Sequence, residues 1–285
     1  MSEEINFLRP YLCKKERLGS KYDGGYVLPK DIVSETDVLV TFGVSTNIDF
    51  ELQYHRRNPE SDIVMIDPYI GITNDLMRLI KRVFRITKSV KRDINLRKVC
   101  NEKLFFPPLY IEIFYRLSHW LNFYQFISRR KVFFLKKGIA SRTNETFLSV
   151  EDFWRKFSLE ERKNILLKID IEGSEYEILN DLYKKFDKVE CLLLEVHDVN
   201  SKMSEVIDLI AQIQKVGLYL VHIHGNNSDI ADERGIPNTL ELSFAKEIYL
   251  ADKSFDVRAF PDKELDSPCN PCYEDYSLRF LDFNI

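Results

Sequence analysis

Short uninterrupted apolar runs alternate along this chain with segments in which apolar residues return every three or four positions. Val38-Leu39-Val40, Ile63-Val64-Met65-Ile66, Val132-Phe133-Phe134-Leu135, Ile165-Leu166-Leu167-Lys168-Ile169 and Cys191-Leu192-Leu193-Leu194 have the length of strands buried on both faces. Between them, Asp49 to Arg56, Val150 to Phe157 and Glu175 to Tyr183 are expected to be helical. Leu218-Tyr219-Leu220-Val221 and Thr239 to Phe244 read as further strands. Repeated strand, turn and helix imply an α/β fold with a mainly parallel sheet.

A sheet of this kind binds ligands in the crevice beyond the carboxyl ends of its strands. The residues expected there are Asp67, then Asp170 and Glu172, then Glu195, His197 and Asp198, then His222, His224 and Asn226. Acids such as Glu172 and Glu175 also suit the start of a helix, so the pattern alone leaves capping and chemistry both open. Asp67 follows Gly43 by 24 positions, close to the spacing of an acid that accepts hydrogen bonds from ribose hydroxyls.

The alternation breaks twice. Residues 71–131 are too long for an ordinary connection and are expected to form a helical insertion. Its first part is basic, with Arg78, Lys81, Arg82, Arg85, Lys88, Lys91, Arg92, Arg97, Lys98 and Lys103 against Asp93 and Glu102. Its second part is aromatic, from Phe105 to Phe126, and Glu112, Arg116 and His119 argue against a membrane span. Such a surface could hold a nucleotide-linked substrate or rest on an anionic membrane, giving peripheral membrane contact. The simpler reading is a solvated helix with a core or homodimer face. From residue 252 to 285 periodicity fades, and a cap or wrap is expected.

With 285 residues and 45% hydrophobic content, the chain can bury one large core, and a single domain over 1–285 is the reading taken here. A net charge of -4 gives no drive towards nucleic acid. Met1-Ser2-Glu3-Glu4 lacks the start of a signal peptide, so a cytoplasmic location is expected. Five scattered cysteines argue against a disulfide framework, and Cys269-Asn270-Pro271-Cys272 lacks the second pair usual for zinc.

Lys168-Ile169-Asp170-Ile171-Glu172-Gly173-Ser174-Glu175-Tyr176-Glu177-Ile178-Leu179 resembles the signature of the FkbM family of S-adenosylmethionine-dependent methyltransferases. Arg17-Leu18-Gly19 with Asp23-Gly24-Gly25-Tyr26-Val27-Leu28 is similar to an N-terminal segment of related proteins. The resemblance spans about residues 17–245. It implies a Rossmann-like class I methyltransferase fold with S-adenosyl-L-methionine as cofactor. Gly43 and Ser45 would form the first cofactor turn, although one glycine stands where a fuller motif has more. Asp67 would take the ribose, Gly138, Ile139 and Ala140 would approach the adenine, and Asp170 would serve both cofactor binding and catalysis. Asp23, Gly25 and Tyr26 would form either a lid over the cofactor or a plain hairpin turn.

The resemblance makes the fourth and fifth strands neighbours, so Asp170, Glu172, Glu195 and His197 are expected to converge. The implied reaction is O-methylation of a sugar hydroxyl, on a nucleotide-linked or surface-polysaccharide precursor. His197 is the first candidate base, His224 the second, and Glu172 an orienter or substrate ligand. A divalent metal held by these donors is an alternative that is not preferred. Other polar small molecules, or a catalytically silent binding scaffold, are the competing functions. A dehydrogenase lacks its G-x-G-x-x-G after the first strand.

Overall fold

The computed structural model describes residues 8–71, 109–233 and 235–278, and of 109–116 the backbone only. Strands β1 (Tyr11–Cys13), β2 (Lys15–Gly19) and β3 (Gly25–Pro29) lead into helix α1 (Ile32–Glu35). Then follow β4 (Val38–Phe42), α2 (Asp49–Arg57), β5 (Asp62–Ile66) and α3 (Leu109–Ile127). The middle of the chain forms β6 (Val132–Leu135), β7 (Gly138–Ala140), β8 (Phe147–Ser149), α4 (Val150–Lys156), β9 (Ile165–Ile169) and α5 (Glu175–Leu182). The last elements are β10 (Val189–Val196), α6 (Met203–Lys215), β11 (Leu218–Gly225), β12 (Leu240–Lys246) and β13 (Leu250–Phe255).

Seven strands form the central sheet in the order β11-β12-β10-β9-β4-β5-β6. From β10 to β6 every neighbouring pair is parallel, while β12 runs antiparallel to both β10 and β11. This is the expected mainly parallel α/β sheet. Alternation along each strand sends successive side chains to opposite faces. Val38, Val40 and Phe42 pack with Ile165, Leu167 and Ile169 under α4, α5 and α6. Leu39, Leu166, Cys191 and Leu193 pack on the other face with Phe50 and Tyr54 of α2 and with Leu18, Tyr26 and Leu28 of the β2–β3 hairpin. Helices therefore cover both faces, which is why the central strands are apolar throughout.

Three boundaries differ from the sequence reading. The single strand expected over Lys131 to Ser141 is two, because β6 belongs to the central sheet while β7 pairs with β8. β11 does not stop at Val221 but pairs with β12 as far as Gly225, so His222 and His224 lie inside a strand rather than after one. The C-terminal stretch begins in regular structure, since β13 pairs with β1.

Of the insertion, the basic stretch from Arg78 to Lys103 lies outside the described residues. α3 is attached through its C-terminal half, where Phe123 and Phe126 are fully buried and Leu117 and Leu121 stay exposed. Among the described residues no helix is long and apolar enough to cross a membrane.

Candidate active site

Strand order reverses between β4 and β9, and the crevice of a doubly wound sheet opens at such a switch point. There the Gly43 turn meets the end of β9. Gly43 has φ +78°, and a Cβ built on it would stand 1.6 Å from the Asp170 carbonyl oxygen. The glycine is thus required first by contact between two strand ends, which form the floor of the crevice. Gly43→Ala adds a backbone clash to an unfavourable φ and is expected to destabilise the fold by more than about 2 kcal/mol, read by urea unfolding.

Asp67 closes one side of that floor. Its Oδ2 accepts from Val44 N–H at 3.0 Å, and its Oδ1 accepts from Tyr69 N–H and Ile70 N–H at 2.6 and 3.0 Å. These backbone donors fix the direction of the carboxylate. Ser45 is exposed nearby and its Oγ accepts from Asn47 N–H. Above them, Asp23 and Gly25 belong to the turn of the β2–β3 hairpin, where the Asp23 carbonyl accepts from the Asn47 amide at 3.0 Å. The segment is thus a hairpin whose Tyr26 side chain reaches the end of β9. Tyr26 is buried on β3 and points its hydroxyl at Asp170 Oδ2, 3.4 Å away.

On β7, Gly138 is pressed against the Phe147 ring and Ile139 is packed into the core. Ile139 therefore faces away from any open cofactor surface, a correction to its expected place, because alternation turns it inward. Ala140 remains half-buried at the strand end.

The other side of the floor carries the convergence expected from the sequence. Period-two alternation puts Lys168 and Asp170 on one face of β9, and Glu195 and His197 on the same face of β10. One donor atom each from Asp170, Glu195 and His197 lies within 4.8 Å of the others. His197 Nε2 is 3.6 Å from Glu195 Oε1 and 3.8 Å from Glu172 Oε2. Glu172 sits at φ +57° with a largely exposed side chain.

Each group of the cluster is held from behind. Glu175, fully buried at the start of α5, accepts from Ile171 N–H and Gly173 N–H through Oε1, and the same oxygen lies 3.1 Å from His197 Nδ1. The Asn226 amide donates to Glu195 Oε1 at 3.2 Å. Lys168 is buried against Glu51 Oε1 at 3.3 Å and lies over the Tyr26 ring.

Burial pushes the Asp170 carboxyl up to about 6 despite the opposing Lys168 charge. Burial also raises Glu195 well above the usual carboxylate range, helped by Asp170 and Glu241. For His197 burial acts downward, but the bonded Glu175 carboxylate together with Asp170 and Glu172 outweighs it and the pKa rises.

His224 is placed differently. Its Nδ1 lies 2.7 Å from Glu241 Oε2 and its Nε2 3.0 Å from Asp275 Oδ2, with Cys269 Sγ 3.5 Å from Glu241 Oε1. Burial opposes protonation, yet Asp275, Cys269 and Glu241 together raise the pKa well above its ordinary value. An imidazolium with both nitrogens committed has no lone pair for a proton, so His224 is corrected from candidate base to buried ion-pair partner. Sequence reasoning passed over Glu175, which lay inside the quoted signature, and Lys168, a charge within an apolar strand run. Asp266 and Asp275, which meet His222 and His224 from the C-terminal segment, gave no local signal.

Residues 121–220 match the family described as the methyltransferase FkbM domain. No curated protein matches the chain. Among solved structures it is similar to a Methanococcus jannaschii fibrillarin pre-rRNA processing protein, with 8% identity over 77% of this chain and 70% of that one and a TM-score of 0.37. It is also similar to precorrin-6y C5,15-methyltransferase from Geobacter metallireducens GS-15, at 9% identity, 76% and 86% coverage and a TM-score of 0.34. A fibrillarin/Nop5p complex gives 11% identity, 83% and 94% coverage and a TM-score of 0.37.

Proposed function

We propose that this chain, whose residues 121–220 match the methyltransferase FkbM domain, transfers the methyl group of S-adenosylmethionine to a hydroxyl of a sugar or sugar-nucleotide precursor. The observation that carries the reading is that two differently equipped groups of side chains stand at the carboxyl ends of neighbouring strands. Asp67 offers oriented carboxylate oxygens on one side. Asp170, Glu195 and His197 crowd together on the other.

The cofactor fits the first side by donor chemistry, since a carboxylate fixed at the end of the second central strand suits the two hydroxyls of a ribose. Bound there, S-adenosylmethionine supplies an activated methyl group and its own leaving group. What remains for the protein is to orient the acceptor oxygen and take up its proton. The carboxylates and imidazole around Asp170 provide both hydrogen-bond acceptors and a sink for that proton. The sugar acceptor is inferred from the FkbM resemblance and suits the polar lining of the cluster.

Calorimetric titration of S-adenosylhomocysteine into wild-type protein should give saturable binding, weakened at least about tenfold in Asp67→Ala through loss of charge-assisted hydrogen bonds. Release of S-adenosylhomocysteine in the presence of a panel of sugar nucleotides then tests the acceptor. Absence of cofactor binding by the wild type would exclude the reading.

A further inference from the structure

Buried His224 and half-buried His197 meet their carboxylates at different distances. Around His224 the oxygens stand at 2.7 and 3.0 Å, hydrogen-bonding distance, and a proton on each nitrogen satisfies the group. Around His197 only one nitrogen is served in this way. Glu175 Oε1 already receives two backbone N–H groups and is placed to accept the Nδ1 hydrogen as well. Nε2 faces Glu195 and Glu172, at 3.6 and 3.8 Å, and loss of its proton to a bound cation would leave a lone pair aimed between them. These separations are too long for direct hydrogen bonds. They suit donor atoms that share a cation, whose bonds to nitrogen or oxygen are each about 2.1 Å.

We propose that Asp170, Glu195 and His197 Nε2 bind a divalent cation such as Mn²⁺, and that its remaining positions receive the acceptor hydroxyl of the methyl transfer proposed above, on which this inference rests. The donor set of one imidazole and two carboxylates suits a first-row divalent ion. Every ligand has an outer partner that fixes it: Glu175 on His197, Asn226 on Glu195 and Tyr26 on Asp170. Such backing is a regular property of metal sites and holds each donor in a ligating tautomer or rotamer. The cation would also offset carboxylate charge that Lys168 balances only in part, since that ammonium is paired with Glu51.

With the cation in place His197 is a ligand, and Glu172 becomes the group that takes the proton. As the bond between the acceptor oxygen and the methyl carbon forms, the carbon–sulfur bond breaks. Its electron pair stays on sulfur, and the hydroxyl proton passes to the Glu172 carboxylate. No redox change is needed.

The test is titration of metal-free full-length protein with MnCl₂, followed by electron paramagnetic resonance, for wild type, His197→Gln and Glu195→Gln. The expected result is one saturable site in wild type, with electron spin-echo modulation from a coordinated ¹⁴N. Affinity should fall about tenfold or more in both variants, and the ¹⁴N signal should vanish in His197→Gln. Circular dichroism of each variant separates loss of ligand from loss of fold. No saturable site in wild type, a site without ¹⁴N modulation, or binding unchanged in the folded variants would overturn the proposal. Calorimetry with S-adenosylhomocysteine on the same metal-free protein keeps the two readings apart. Cofactor binding without Mn²⁺ binding removes only the cation, whereas Mn²⁺ binding without cofactor binding removes its assigned role in methyl transfer.

Discussion

His197→Ala is expected to lower turnover by about 10²- to 10⁴-fold while leaving the affinity for S-adenosylhomocysteine close to that of wild type. The imidazole is the one group of the cluster whose reactive nitrogen is fixed by a buried carboxylate, Glu175, and directed into the space shared with Glu195 and Glu172. Removing it deletes a donor at the acceptor end of the crevice, whether that donor binds a cation or the substrate hydroxyl itself. The proposed cofactor end consists of other parts, the Gly43 turn and Asp67, and should keep its geometry. Glu175 retains the Ile171 and Gly173 N–H groups as donors, so the variant should fold. Release of S-adenosylhomocysteine with a competent acceptor gives turnover, and calorimetry gives affinity. Undiminished turnover would remove His197 from the chemistry, and a parallel loss of cofactor affinity would make it part of the binding site instead.

The central parallel strands and the helices packed on them were legible because their signals are local. Continuous apolar runs mark buried strands, and β4, β5, β9 and β10 sit where those runs lie. The cluster was legible for a related reason. Lys168-Ile169-Asp170 and Glu195-Val196-His197 each place two polar residues two positions apart at a strand's carboxyl end, and the pleat turns such a pair to one face. What could not be read is how distant segments meet. Nothing near His224 in sequence announces that Glu241 and Asp275 will enclose it, and pairing with β12 carries β11 two histidines beyond its apolar run. Gly43 was read as part of a cofactor turn, and nothing local announced that its Cβ position is filled by the Asp170 carbonyl, a contact that exists only once β4 and β9 are side by side.

Asp256→Ala should destabilise the protein by about 3–5 kcal/mol at pH 7, the usual consequence of removing one partner of a buried ion pair. Lys15 and Asp256 meet at 3.0 Å with side chains 1% and 0% exposed, and Arg258 adds a second cation on the same carboxylate. Burial lowers the Lys15 pKa although Asp256 opposes it, so the ammonium depends on this carboxylate to stay charged inside the fold. Burial would raise Asp256, yet Arg258 and Lys15 hold it far below its ordinary value. A depressed carboxylate stabilises the folded state fully above its unfolded pKa, near 4, and loses that contribution as pH falls through the folded value. The gap between wild type and variant, measured by urea unfolding, should therefore be wide at pH 7 and narrower at pH 3; an equal gap at both would show that packing rather than charge is lost. The same contact begins the C-terminal strap, in which Arg258 pairs with Asp262, Asp262 N–H donates to Asp266, and Asp266 meets His222. Loss of Asp256 should thus loosen the segment that carries Cys269 and Asp275 onto His224, and faster tryptic cleavage at Lys263 than in the wild type would locate the damage there.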